Sequence, residues 1–427
     1  MMAAEAEGFH SRRTAEEGDL KRWALGLGAL VALTWVAAAR PQADPPPSVR
    51  VRLNSWGRLT SVSLEGEGLT FTAGARQRRT TSLAVEIAPG GQLRLQAEGW
   101  DRAVDSSVRV SAAAGPVWVH ALGRKRAYPG VLTVAAKAGR LRLVNEAPFE
   151  DYVAGVLSAE TPAAFGLAAR QASAVAIRGY TLRKLRSSQW RRGLADTVRC
   201  QVFPGTGRVS AAHWEAVRST AGEAPFFDGE PIEAVYSSDC GGRTANNEEA
   251  WPGGAPVPYL RGGRDSSESH PDPFCAGNRA HHWEARLSDA SLRRLAPEAG
   301  SPLSVQVLER SESGRAIRVR VGSRGEAGEV RREASVELSG RDLRRRLGAG
   351  VVRSLRFEVS LEDGATVLRG AGSGHGVGMC QFGANGMAAA GYGYREILAH
   401  YYRGVVVRRL SATMLAHWLA PAADAAG

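Results

Sequence analysis

The sequence predicts an α+β chain: β-rich in its N-terminal part, helical through the segment that carries its candidate chemistry, then further mixed strands and a C-terminal helical motif. Three observations carry this. Between residues 48 and 144, short runs alternate apolar and polar residues and are divided by Gly, Asp and Asn, the pattern of half-buried strands joined by turns. From residue 149 to 186 the apolar residues change to helical spacing. After Leu194 extended patterns return, until residues 383–402 read as helix, glycine turn and helix. At 427 residues the chain has room for two or three domains.

Residues 1–22 form a polar, charged leader ending in Lys21-Arg22. Residues 23–39, WALGLGALVALTWVAAA, carry no charge. That length is marginal for a membrane span and long for a signal-peptide core. A signal anchor or a signal peptide is expected, with a buried helix as the alternative. Positive charge ahead of the run and Arg40 behind it place the bulk of the chain outside the cytoplasm. Residues 40–47 follow as a Pro-rich, stiff linker.

The strand-like runs VRVRL, SVSLEG, LTFTAG, LAVEI, QLRLQAEG, VRVSA, VWVHAL, VLTVAA and RLRLVN suggest a sandwich or barrel. Residues 48–120 are taken as an N-terminal module. The formal charge of +12 favours polyanionic partners such as an anionic wall or acidic lipid. Its arginines are scattered and no zinc-finger or RNA-recognition signature occurs, so nucleic acid is not expected as a partner.

The first helix begins after Pro148, with Glu150 and Asp151 at its positive end. Phe149, Val153, Val156 and Leu157 share one face, and Glu160 falls on the same face, about three turns after Phe149. Thr161-Pro162 then stops the helix, and a second is expected over 163–186. Its small face, Ala168, Ala172, Val175, Ala176 and Gly179, lets another backbone come close. An inward carboxyl there has two readings. It is either an ion pair with Arg178 or a buried acid whose raised pKa suits proton transfer near neutral pH.

Further along, a strand at Ala234-Val235-Tyr236 feeds the loop SSDCGG, and Gly372 to Met379 reads GSGHGVGM, with His375 among alternate glycines. The spacing excludes a dinucleotide fingerprint, and no GxxxxGK[ST] occurs.

Taken in order, EAPFEDYVAGVLSAETP, AVAIRGY, YSSDCGGRT with Trp251 and PYL, and GSGHGVGMCQFGANGMA resemble the SpoIID/LytB family of bacterial cell-wall proteins. The resemblance covers roughly 128–406, within a domain drawn at 121–408, leaving 409–427 as a tail. It implies peptidoglycan glycan strands as ligand and, in the SpoIID branch, lytic transglycosylase activity on strands stripped of peptide. The family's catalytic glutamate corresponds to Glu160. Arg178, Ser238, His375 and Gln381 fall in the family motifs and are implied sugar contacts. One carboxyl can protonate the glycosidic oxygen between N-acetylmuramic acid and N-acetylglucosamine, then take the proton of the muramoyl C6 hydroxyl as the anhydro ring closes. No cofactor is implied for that reaction. Phe165 and Ser173 stand where the family usually has Trp and Gln, and Cys380 where it has Ser.

The four cysteines, Cys200, Cys240, Cys275 and Cys380, include no CxxC pair. Outside the cytoplasm Cys240 and Cys275 are expected to pair as a disulfide. The alternative is a structural zinc held by Cys240, Cys275 and His281 or His282, a set that some relatives resemble. Two functions of different class stand side by side: a glycan-cleaving enzyme, and a non-catalytic wall-binding enhancer of a cell-wall amidase. A metal-dependent hydrolase built on the cysteines is a third.

Overall fold

The computed structural model describes residues 46–420, apart from 106, 191 and 327. The leader and the apolar run at 23–39 lie outside the described residues. Among those described, no helix is long and apolar enough to cross a membrane.

In chain order the first half comprises β1 (Ser48–Arg52), β2 (Ser61–Ala73), β3 (Arg76–Ile87), β4 (Leu93–Ala97), β5 (Trp100–Val104), β6 (Ser107–Ser111), β7 (Ala114–Ala121), β8 (Arg124–Tyr128), β9 (Val131–Lys137) and β10 (Arg140–Pro148). Helices α1 (Phe149–Glu160) and α2 (Leu167–Leu185), the short strand β11 (Leu194–Ala195) and helix α3 (Ala211–Ser219) follow. The α+β class is as expected. The strands form one sheet in the order β11-β1-β10-β9-β6-β2-β3-β4-β5, with β7 bridging β2 and β8. Two expected strands, SVSLEG and LTFTAG, are one: β2 runs through both, with its register against β3 shifting between Glu65 and Leu69. Gly68 sits at that irregularity with φ +58°, and a Cβ there would stand 2.9 Å from Ala113 Cβ. The sheet crosses residue 120 without a break, since β2 pairs with β7 and β6 with β9.

Alternation puts Val62, Leu64, Phe71, Val108, Val110, Val119, Leu132 and Val134 inside. Phe149, Tyr152, Val153, Val156 and Leu157 of α1 join the same core. Pro148 ends β10 and also caps α1, so the helix leaves the sheet with no loop between them. That junction fixes where its last residue, Glu160, falls.

Helix α2 starts at Leu167, four residues later than expected. Pro162 and the extended Gly166 hold a turn there, and Arg170 donates back to the Ala163 and Phe165 carbonyls. The helix lies between two cores. Ala174, Ile177 and Leu182 face the first, while Ala169, Ala172, Val175 and Ala176 face a second that includes Cys240, Met379 and Tyr402. The expected small face is needed: a Cβ on Gly179 would come within 2.6 Å of the Pro225 ring. A third core gathers around Trp283, Val319, Leu343 and Phe357. Helix Gly340–Leu347 interrupts the stretch that reads as alternating.

The tail carries structure. Helix Ala412–Leu419 buries Leu415 and Leu419 in the first core. The Trp418 ring lies 6.0 Å edge-on from Phe226, and Arg186 sits over it. Trp418→Ala is expected to cost about 2 kcal/mol through the lost aromatic and cation contacts, read as a lower denaturant midpoint with unchanged slope.

Candidate active site around Glu160

Glu160 ends α1 with its side chain half-buried. Its Oε1 accepts a hydrogen bond from the Val202 amide at 3.0 Å. Burial pushes its pKa up, and the Val202 bond opposes this in part. Helix termination at Thr161 leaves the Glu160 carbonyl free of the helix ladder, and Gln381 Nε2 donates to it at 2.9 Å.

Beside it lies a polar network that sequence reasoning missed. Gln201 Oε1 accepts from Thr181 at 2.9 Å and from Tyr152 at 3.3 Å, while its Nε2 donates to the Tyr236 hydroxyl at 3.1 Å. Burial first, and the neighbouring Glu160 charge second, push Tyr236 well above the ordinary tyrosine range. Tyr236 opens the motif YSSDCGGRT, which is followed in the chain by GSGHGVGM, whereas Gln201 lies outside every motif and carried no signal in the sequence.

Those motifs meet physically. Strand Tyr236–Ser237 pairs parallel with Met379–Cys380, which sets the SSDCGG loop beside the GSGHGVGM loop. Gly378, at φ +68°, makes the approach possible, because a Cβ there would lie 2.1 Å from the Val235 carbonyl oxygen. His375 Nδ1 accepts from the Val377 amide at 3.1 Å, so the ring proton sits on Nε2, and the ring also bonds to the Tyr236 backbone. One edge of the residue stays open, yet the surrounding protein pushes its pKa down to about 4. His375 is therefore neutral at physiological pH. Its ring lies 5.0 Å from the partly exposed Trp251, and both line a cavity of about 640 Å³ with Arg315, Arg341 and Arg344. Trp251 offers an open aromatic face of the kind that packs against sugar rings.

The other expected site residues fall as follows. Ser238 is half-buried in the loop, and its carbonyl accepts from the Phe382 amide at 3.0 Å. Gln381 is largely buried and holds the end of α1. Arg178 corrects both expectations placed on it. It is fully buried and pairs with Glu150 at 2.6 Å rather than with Glu160. Its remaining donors go to Thr220 Oγ1 and the Val217 carbonyl. Glu150 and Glu160 stand at opposite ends of α1, about three turns apart, and Arg178 lies beside the first. It has no donor left for a sugar.

Two cysteine expectations are also corrected. Cys240 and Cys275 are free thiols with Sγ atoms 3.7 Å apart, beyond the roughly 2.05 Å of a disulfide. His282 is exposed and lies on the outer side of its strand, whereas the preceding His281 turns inward to Asp239, with Nδ1 3.1 Å from the carboxylate. Neighbouring side chains on an extended segment point to opposite faces, so His282 is turned away from the cysteines while His281 is engaged by Asp239. Phe165, one of the departures from the family pattern, packs edge-on against Phe382 at 5.1 Å.

A raised carboxyl pKa has a testable sign. The protonated form is stable below the folded-state pKa, and stability is lost as pH rises through it, because the ionised group is then buried. Glu160→Gln is expected to raise Tm at neutral pH, with the gap closing as pH falls below the ordinary glutamate value of 4.5. Thermal scans across pH read this directly.

The model of the SpoIID family, described as stage II sporulation protein, matches residues 137–227, which hold α1, Glu160 and α2. Stage II sporulation protein D of Bacillus amyloliquefaciens is 30% identical over 281 residues, 61% of this chain and 74% of the relative. An uncharacterised protein of Brachyspira hyodysenteriae is 31% identical over 284 residues, 65% of this chain and 71% of the relative. The amidase enhancer of Bacillus subtilis is 28% identical over 287 residues, but the match spans only 40% of that protein. With its motifs folded together around Glu160 and Tyr236 and these relatives aligned across most of the described residues, the chain belongs to the SpoIID/LytB family and to the cell-wall work of that family.

Proposed function

We propose that the protein is a lytic transglycosylase that cuts peptidoglycan glycan strands between N-acetylmuramic acid and N-acetylglucosamine. The observation that carries this is the half-buried Glu160 carboxyl, held by the Val202 amide and raised in pKa by burial. As the acid, it gives its proton to the glycosidic oxygen, and the N-acetylglucosamine hydroxyl departs. As the carboxylate, it takes the proton of the muramoyl C6 hydroxyl, whose oxygen closes onto C1. Atoms balance with no water consumed, which is why one carboxyl suffices where hydrolases need two. Trp251, His375 and Ser238 are proposed to contact the sugars, and Gln381 to position Glu160. Residues 23–39 are proposed to anchor or export the chain, placing this chemistry outside the cytoplasm.

Mass spectrometry of purified glycan strands after incubation tests the reaction: 1,6-anhydromuramic ends are expected. Reducing ends instead would mean hydrolysis. Activity should fall as pH rises through the raised pKa of Glu160, since the acid form starts the reaction.

The relative named amidase enhancer favours a second reading, a non-catalytic protein that binds wall and stimulates an amidase. An unchanged strand population, together with faster release of stem peptides by an added amidase, would select it.

A further inference from the structure

Cys240, Cys275 and Cys380 come from three separate segments and converge with Asp265 inside the second core, all four buried and with their ligand atoms within 4.8 Å of one another. We propose that these four residues bind a soft divalent cation of the zinc class, through three thiolates and one carboxylate oxygen. The site goes beyond the proposed reaction and does not depend on it.

Three observations support a metal over a disulfide. First, Zn–S bonds of about 2.3 Å in a tetrahedron put neighbouring sulfurs about 3.8 Å apart. The Cys240 and Cys275 sulfurs are 3.7 Å apart. Second, the ligands are already oriented by donors. Cys380 Sγ accepts from the Cys240 and Gly383 amides at 3.2 and 3.3 Å. Asp265 accepts from the Cys275 amide at 3.0 Å and from Tyr401 at 2.6 Å. Such outer contacts fix ligands and favour their charged forms.

Third, charge is missing. Arg315 is buried, and among the described residues no carboxylate lies within ion-pair distance of it. Its Nη2 donates to the Cys240 carbonyl at 2.8 Å, and its Nε has no partner. A buried guanidinium without counter-charge is costly. A divalent ion with three thiolates and a carboxylate carries a net charge of about −2 and supplies it.

A second convergence, Asp239 with Cys275 and His281, carries less, because it offers one sulfur where the first offers three.

The ion would tie the SSDCGG loop and the turn Phe274–Gly277 to the start of helix Gln381–Ala389. Gln381, next to Cys380, is the residue that holds the end of α1.

The full chain, purified after export with no chelator, is expected to carry about one zinc per molecule by elemental analysis. Replacement with cobalt is expected to give the intense near-ultraviolet sulfur-to-cobalt absorption of a multi-thiolate site. Cys380→Ser should lose that band, whereas His282→Ala and Cys200→Ser keep it. An intact mass lighter by one pair of hydrogens, with no metal, would replace the site with a disulfide. Reduced thiols that take up neither zinc nor cobalt would also sink the proposal, as would metal retained in both Cys240→Ser and Cys380→Ser. Because the wild-type readings decide first, a variant that fails to fold leaves the test intact.

Discussion

Glu160→Gln should give a folded, glycan-binding protein whose strand cleavage falls by at least a hundred- to ten-thousand-fold, the usual contribution of one general acid–base group. The loss should lie at the upper end, because in the proposed reaction the same carboxyl serves as acid and then as base. Glutamine keeps the acceptor for the Val202 amide at Oε1, so the backbone of the segment after Cys200 has no reason to move. It cannot pass a proton to the leaving oxygen. Pelleting with purified sacculi should match wild type while anhydro products disappear. Release of anhydro ends at the wild-type rate by Glu160→Gln would defeat the assignment of the acid. If neither form cuts, but both bind wall and accelerate an amidase, the enhancer reading takes its place.

Arg178→Ala should destabilise the fold by about 3 kcal/mol, a value set by the loss of one partner of a buried ion pair. The lower end of the usual range applies because the Glu150 side chain keeps 34% of its exposure. The substitution strands Glu150 between the Gly222 amide and solvent, and leaves the Val217 and Glu223 carbonyls and the Thr220 hydroxyl without their donor. Lysine should recover little, since one ammonium cannot reproduce the fork that serves all four groups. Urea titration reads the change. Unaltered stability with weakened glycan binding would restore Arg178 as a sugar contact.

The two long helices and the strand run were legible because burial writes periodicity into sequence. Glu160 was legible because it breaks that periodicity on a face that is otherwise apolar. What failed was anything decided by distant packing. Nothing local tells Arg178 to choose Glu150 over Glu160, because both acids lie on α1 and the choice depends on how α2 crosses it. The change from His282 to His281 is a matter of strand parity, unreadable until the exact start of the strand is known. The tail helix lacks charged residues that would mark an outer face, and only Leu415, Trp418 and Leu419 together reveal its inner one. Tyr236 and Gln201 became visible as neighbours of Glu160 only when the parallel pairing of Tyr236–Ser237 with Met379–Cys380 closed the second core.

The stretch matched by the family model, 137–227, contains Glu160 and little of what surrounds it. The strand that begins it, β10, is held between β1 and β9, and the far end of α1 is held by Gln381, more than two hundred residues later in sequence. The segment around Glu160 is therefore not a self-sufficient cassette. A recombination that transferred the glutamate segment alone would leave an unpaired sheet edge on one side and an unsupported helix end on the other. The unit that keeps Glu160 in place therefore runs from β1 through helix Gln381–Ala389 to the core helix Ala412–Leu419.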